Sequence, residues 1–333
     1  MDTRATTELR AIYQPIEPEI CRLRARLDRE FASTDPFIGQ VLKQVAEYRG
    51  KQIRPALLFL VSRLSGAQPT DDHIQIACAI ELIHTATLVH DDILDDAELR
   101  RKVETVHRSW GERPAILIGD YIYSRAFHLS TGVPGMARIL SDTTHTICEG
   151  ELLQISSRFR PNMGESTYFE IIRKKTAVLH AVSCQLGGVL GDLDSEQCRS
   201  FYEFGLDLGM AFQIVDDCLD YTGTEAQVGK SLGSDLHQGK VTLPLIYLME
   251  RLSEAEGRWL TETLRAQLSE RDEHRIHSLV EQHGVAREAL ARADSFLHSA
   301  RARLAAIVVG TPMAKQARES LELAAGYILR RRR

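Results

Sequence analysis

The chain has 333 residues, 44% hydrophobic but only 6% aromatic, and a net charge of −5. That balance, without a basic stripe interleaved with aromatics, argues against a nucleic-acid partner, and no uninterrupted apolar stretch approaches the ~18 residues of a membrane span. Six widely spaced cysteines with no C-x-x-C pair read as reduced core thiols rather than a disulfide framework, and no apolar segment follows the polar first ten residues as it would in a signal peptide.

Abundant Ala, Leu and Arg with short β-branched runs predict an all-α protein. A reducing cytoplasm is the expected setting, and without a linker or composition shift a single domain over residues 1–333 is expected. Residues 8–32 place Leu9, Ile12, Ile16, Ile20, Leu23 and Leu27 at spacings of three and four, the stripe of an amphipathic helix. After a second helix, Gly50 breaks the pattern in Tyr48–Pro55, and helix restarts near Pro55. Lys51 and Arg54, three apart at this restart, form either an anion clamp or a basic loop in solvent. Ser65–Asp72 is a loop. A helix over residues 73–97 then carries the apolar run Ile76–Val89 into Asp91-Asp92-Ile-Leu-Asp95. His84 lies two turns before Asp91 on nearly the same face, either a substrate ligand or a hydrogen-bonded core histidine.

Arg100 and Arg101 follow the carboxylates directly and suit either surface ion pairs or bidentate phosphate recognition. Helices are predicted from Gly119 through Phe127 and from Ile139 to Ser156, with a break at Thr131–Gly135 and a loop at Arg160–Gly164. Helix from Tyr168 carries Lys175 and Thr176 into a small-residue stretch, Ala181–Gly191, suited to close packing. A second apolar run, Leu208–Val215, ends in Asp216-Asp217-Cys-Leu-Asp220. The Gly-rich segment Thr222–Asp235 is too long for a tight turn and reads as a functional loop; it contains Lys230, with Lys240 beyond. Residues 242–329 read as amphipathic helices with breaks near Gly257, Gly284 and Gly310-Thr-Pro312.

Both acidic segments place carboxylates at i, i+1 and i+4, so the first and third lie one turn apart on one helix face. Solvated faces alternate polar with apolar residues, whereas these carboxylates crowd where an apolar run stops. Six carboxylates facing one cavity would repel one another unless hard cations with oxygen ligands sat among them. Magnesium bridging to phosphate oxygens fits best.

With these segments in this order, the sequence resembles the trans-isoprenyl (polyprenyl) diphosphate synthases over nearly its whole length. The family's D-D-x-x-D matches Asp91, Asp92 and Asp95; its F-Q-x-x-D-D-x-x-D matches Phe212 to Asp220; its G-K-x-x-R-P matches Gly50 to Pro55. The resemblance implies one large helical bundle, the isoprenoid synthase fold, around a deep cavity. It further implies that Lys51, Arg54, His84 and Arg101 hold the diphosphate of isopentenyl diphosphate. Arg100, Lys175, Thr176, Gln213, Lys230 and Lys240 would surround the allylic diphosphate, with Lys175, Thr176, Gln213 and Lys240 nearest the chemistry. Three Mg2+ ions bound with that diphosphate would be held by Asp91, Asp95 and Asp216, supported by Asp92, Asp217 and Asp220. A homodimer paired through helices near the first motif is expected, with at most transient membrane contact when a greasy product leaves.

The same resemblance makes residues just before the first motif the floor of a product tunnel. Ala86 and Thr87 are small, which implies a product beyond geranylgeranyl, in the hexaprenyl to decaprenyl range, stopped deeper by Phe127 or Leu140. Arg49, Lys102 and Lys174 stand where the family usually has glycine and are expected to add charge near the phosphate sites. Competing readings are a short-chain farnesyl or geranylgeranyl synthase, a non-catalytic partner subunit, and head-to-head condensation or cyclisation on a related fold. A di-iron bundle is a further one, since Glu81-x-x-His84 and Glu104-x-x-His107 both satisfy Glu-x-x-His. Intact ligands argue for an active elongating enzyme.

Overall fold

The computed structural model describes residues 3–222, 233–266 and 268–330, and their regular secondary structure is helical apart from one short hairpin. The first predicted helix is two, α1 (Thr3–Tyr13) and α2 (Glu17–Glu30), joined by a 3-10 turn at Gln14–Ile16. Pro15 sits in that turn, where its missing N–H would otherwise break an α-helical ladder. The stripe survives the break: Ile12, Ile16, Ile20, Leu23 and Leu27 are all buried. Asp35 then starts α3 (Pro36–Ala46), its carboxylate accepting from the backbone N–H groups of Phe37 and Ile38 at 2.9 Å each.

After α4 (Ile53–Ser62), a reciprocal cap by Thr70 and His73 opens α5 (Asp71–Leu94), which is apolar nearly all round and correspondingly buried. A hairpin, β1 (Leu99–Arg100) and β2 (Val103–Glu104), leads to α6 (Val106–Trp110) and α7 (Glu112–Thr131). Then come α8 (Met136–Ser157), α9 (Glu165–Ile172), α10 (Val178–Leu190) and α11 (Ser195–Thr222), with a π-helical turn at Arg173–Ala177. The remaining helices are α12 (Ser234–His237), α13 (Leu243–Met249), α14 (Glu254–Arg265), α15 (Glu270–His283), α16 (Val285–Ala305) and α17 (Pro312–Arg330). Gly257, expected to break a helix, lies inside α14; the Ser253–Glu256 capping box starts that helix just before it.

The chain forms two compact units: Met1–His145, Leu179–Gly205 and Arg301–Tyr327 in the first, Thr146–Val178, Leu206–Ala300 and Ile328–Arg333 in the second. In the first, α5 packs against α2, α4 and α7. The small-residue stretch lies on the backbone of α4, and a Cβ at Gly187 would overlap the Leu58 carbonyl. In the second, α13 packs against α9 and α15. All six cysteines are free, and among the described residues no helix is long and apolar enough to cross a membrane.

Candidate active site

At the end of α5, burial separates the three carboxylates of the first acidic segment. Asp91 and Asp95 are half-buried, whereas Asp92 is 1% exposed and turned inward onto Arg100. Arg100 donates to Asp92 Oδ1 from Nε at 2.9 Å and from Nη2 at 2.5 Å, while Asp92 Oδ2 is buried without a hydrogen-bond partner. Burial pushes the Asp92 carboxyl up despite the cation, whereas the more exposed guanidinium is held above its ordinary value by the same pair. Desolvation is the largest influence on both groups; at the carboxyl it outweighs Arg100, whereas at the guanidinium Asp92, Asp91 and Asp95 together outweigh it.

The hairpin aims Arg101. Its two-residue loop, Arg101 and Lys102, has φ of 53° and 71°, the doubly left-handed geometry of a type I′ turn normally filled by Asn-Gly. In that conformation the Arg101 guanidinium crosses to the segment before α4, where Nη1 donates to the Tyr48 carbonyl. It lies against Gly50 so closely that a Cβ there would overlap it. Arg54 is half-buried, and its Nε is buried without a hydrogen-bond partner. Burial, and secondarily Arg101, lowers the Arg54 guanidinium to about 10 against the pull of Glu81, so it remains charged at neutral pH. Glu81, 5% exposed and one turn before His84, is a carboxylate whose charge acts on both Arg54 and Arg101, a role the sequence did not announce.

His84 is half-buried among cations, and burial followed by Arg54, Arg101, His180 and Arg100 holds its imidazole well below 6.5. A base whose affinity is lowered by folding stays neutral while the unfolded chain protonates near 6.5, so this site costs stability as the pH falls below that value. The His84 ring nitrogens in substrate-free protein should therefore show no titration between about pH 6 and 8 by 15N NMR, unlike an ordinary histidine. A midpoint near 6.5 would contradict the environment described here.

Two of the three positions where the family usually has glycine do not add free charge. Arg49 pairs with Asp28 at 2.5 Å and lies 5.4 Å from the centre of the Phe31 ring, anchored to α2 and the segment after it. Lys174 pairs with Glu149 at 3.3 Å and Glu170 at 3.0 Å.

In the second unit, the π-helical turn carries Lys175 and Thr176; such turns insert an extra residue and occur often at functional sites. The Lys175 ammonium donates to Gln154 Oε1 at 2.8 Å and pairs with Glu151. Thr176 donates to Gln213 Oε1 at 2.9 Å, and Gln213 Nε2 in turn donates to Asp217 Oδ1 at 2.8 Å. Tyr168 holds the other oxygen of Asp217 at 2.6 Å. Asp217 is buried, and burial, then Asp235 and Asp216, pushes its carboxyl upward. Asp220 is fully buried and accepts from the backbone N–H of Asp235 at 3.1 Å.

Asp216 alone of this trio is half-buried rather than buried, the same division as in the first segment. Lys240 lies 3.8 Å from Asp235. Asp235, Tyr168, Glu151 and Gln154 were not singled out in the sequence; Asp235 falls in the Gly-rich segment, where no periodicity marks it. Lys230 lies outside the described residues.

No three His, Cys, Asp or Glu side chains among the described residues close a metal site by themselves. Half-buried Asp91 and Asp95 in the first unit, and half-buried Asp216 in the second, each offer hard oxygen donors of the kind that divalent cations take alongside water or phosphate oxygens. The di-iron pattern fails on placement: Glu104 is exposed on β2, accepting from Ser109 at 2.6 Å, and does not face a helix-bundle interior. Below the first acidic segment, Ala86 is fully buried and Thr87 is half-buried, its hydroxyl donating to the His84 carbonyl at 2.7 Å. Phe127 is half-buried, stacked on Tyr123 with centroids 6.4 Å apart, and Leu140 is fully buried.

Comparison with known proteins meets this geometry from outside. The polyprenyl synthetase family profile matches residues 35–282. Heptaprenyl diphosphate synthase component 2 of Bacillus subtilis is 33% identical over 325 residues, 96% of this chain and 90% of that one. Geranylgeranyl diphosphate synthase of Methanosarcina mazei is 40% identical over 73% of this chain and 77% of that one. The crystal structure of a Caulobacter crescentus polyprenyl synthase, complexed with calcium and isoprenyl diphosphate, has a TM-score of 0.91, 32% identity and 98% coverage of both chains. The chain is therefore a member of the polyprenyl synthetase family, a trans-prenyltransferase with the all-α isoprenoid synthase fold.

Proposed function

We propose that the enzyme joins isopentenyl diphosphate head to tail, in 1′-4 linkage, to an allylic diphosphate, and that repeated additions give a hexaprenyl to decaprenyl product. The observation that carries the substrate assignment is the surplus of cations in the first unit. Arg54 and Arg101 share one buried carboxylate, Glu81, and a buried Arg54 Nε has no hydrogen-bond partner. Uncompensated guanidiniums of this kind suit a diphosphate. The neutral His84 adds a hydrogen-bond donor without further repulsion. In the second unit Lys175 and Lys240, with Thr176 and Gln213, are assigned to the allylic diphosphate, together with Arg100 and Lys230.

Elongation breaks the allylic carbon–oxygen bond, and both bonding electrons leave with the diphosphate. Fixed Lys and Arg donors stabilise that charge as it develops. The isopentenyl double bond supplies the electrons of the new carbon–carbon bond, and the proton then lost passes to the released diphosphate. No protein nucleophile is needed, but water must be kept from the allylic cation, which the apolar body of α5 favours. Asp91, Asp95 and Asp216 are the proposed ligands of three Mg2+ ions, which when bound supply Lewis-acid stabilisation of the leaving diphosphate. Asp92, Asp217 and Asp220 hold that shell in place.

The substrate assignment is tested by Arg54→Ala. Loss of a buried, charged hydrogen-bonding group of this kind should cost about 2–3 kcal/mol, so the KM for isopentenyl diphosphate should rise by about 30- to 150-fold while that for the allylic primer stays within about threefold. A rise confined to the primer would exchange the two diphosphate assignments.

A homodimer is the proposed assembly, since Ile116 and Leu117 on α7 leave 46% and 67% of their surface exposed. Light scattering at assay concentration should give twice the 37.4 kDa chain mass. The Bacillus subtilis relative is named as one component of a synthase, so a monomer that gains activity only with a second protein would favour a heteromer instead. A cytoplasmic location and, at most, transient membrane contact complete the reading.

A further inference from the structure

Two tyrosines from distant parts of the chain meet at Lys51. Tyr13 closes α1, and its hydroxyl donates to the Lys51 carbonyl. Tyr327, 6% exposed near the end of α17, accepts a hydrogen bond from the Lys51 ammonium at 2.6 Å, and that ammonium lies 5.1 Å from the centre of its ring. One phenol fixes the backbone of this residue and the other fixes the tip of its side chain.

Lys51 needs such help. It is exposed, on the short non-helical segment before α4, and is followed by Gln52 in a left-handed conformation at φ 55°. A free lysine side chain carries rotamer entropy that a ligand must otherwise remove when it binds. A phenol orders the ammonium without neutralising it, as a carboxylate would, and leaves two of its three N–H groups for an anion. Burial, then Glu81 and Tyr327, raises the Tyr13 hydroxyl far above physiological pH, so it remains a donor.

We propose that Tyr13 and Tyr327 are positioning residues for the homoallylic diphosphate, preorganising Lys51 from its carbonyl and from its ammonium. This rests on the assignment of Lys51 to isopentenyl diphosphate made above.

The test is a double-mutant cycle. Tyr327→Phe keeps the ring over the ammonium and removes only the hydroxyl. It should raise the KM for isopentenyl diphosphate by about five- to tenfold, with kcat and the primer KM within about twofold. In a Lys51→Met background the same change should have no further effect, and Tyr13→Phe should move the same KM in the same direction. An unchanged or lowered KM in Tyr327→Phe overturns the proposal, and so does an equal rise in the Lys51→Met background, which would mean the hydroxyl acts through the fold. If Tyr327→Phe fails to fold, Tyr13→Phe with Lys51→Met runs the same cycle and is decided by the same criteria. Lys51→Met alone separates the layers: an unchanged KM there removes the diphosphate assignment itself, whereas a raised KM with a silent Tyr327→Phe removes only the role of the tyrosines.

Discussion

Asp91→Ala and Asp216→Ala should each lower kcat by three or more orders of magnitude while far-UV circular dichroism stays at the wild-type level. Both carboxylates are half-buried near the ends of long helices, so truncation opens no cavity in a packed core. What it removes is a fixed negative oxygen for a divalent cation, and with it stabilisation that is strongest when charge develops on the leaving diphosphate. Losses of about 4 kcal/mol are ordinary for such groups and correspond to about a thousandfold. Chelation of divalent ions should reproduce the effect in the unmodified enzyme.

Asp92→Ala must behave differently, because Asp92 is buried against Arg100. It should lower the thermal midpoint by several degrees as well as the rate. Near-normal turnover in both Asp91→Ala and Asp216→Ala would end the metal assignment.

Ala86→Phe should shorten the product from the hexaprenyl–decaprenyl range to farnesyl or geranylgeranyl, with the first condensation retained. Ala86 is fully buried in α5, on the stretch below the first acidic segment. A growing chain lengthens by about one helical turn, roughly 5 Å, with each isoprene unit, so a ring placed little more than a turn below the carboxylates leaves room for only a few units. Overpacking of a buried alanine costs about 1–3 kcal/mol, less than a domain's usual stability. Thr87→Phe, at a half-buried position one turn before Asp91, is the milder companion. Chromatographic sizing of products made with each short allylic primer decides it. A wild-type enzyme that already stops at geranylgeranyl, or an unchanged distribution in both variants, would place the floor elsewhere.

The helices were legible because their causes are local. Apolar residues at spacings of three and four mark the face of α2, and the long apolar runs mark α5 and α11 as buried. Boundaries were less so: Pro15 splits the first helix, while Gly257 is absorbed into α14 once Ser253 and Glu256 cap it. The aspartates could be read as a cluster because their spacing is itself the signal. Which of them turn inward could not, since that depends on Arg100 arriving from the hairpin and on Tyr168 arriving from α9. Arg49 shows the converse, because nothing in the sequence near it marks Asp28, 21 residues earlier, as the partner that claims its charge. Glu81 was visible only as half of a Glu-x-x-His pattern, and its relation to two arginines is entirely tertiary.

The seating of the Arg101 guanidinium against Gly50 makes two distant positions genetically dependent. Any side chain at residue 50 collides with a guanidinium delivered from residue 101, so the cost of leaving glycine at one position is set by what occupies the other. A lineage that shortened or lost Arg101 would release residue 50 from its constraint; one that first placed alanine at 50 would displace the arginine and spend its turn strain for nothing. Of the two orders in which this pair could change, the one that begins at the hairpin leaves the seat beside residue 50 empty, whereas the other makes the guanidinium swing aside first.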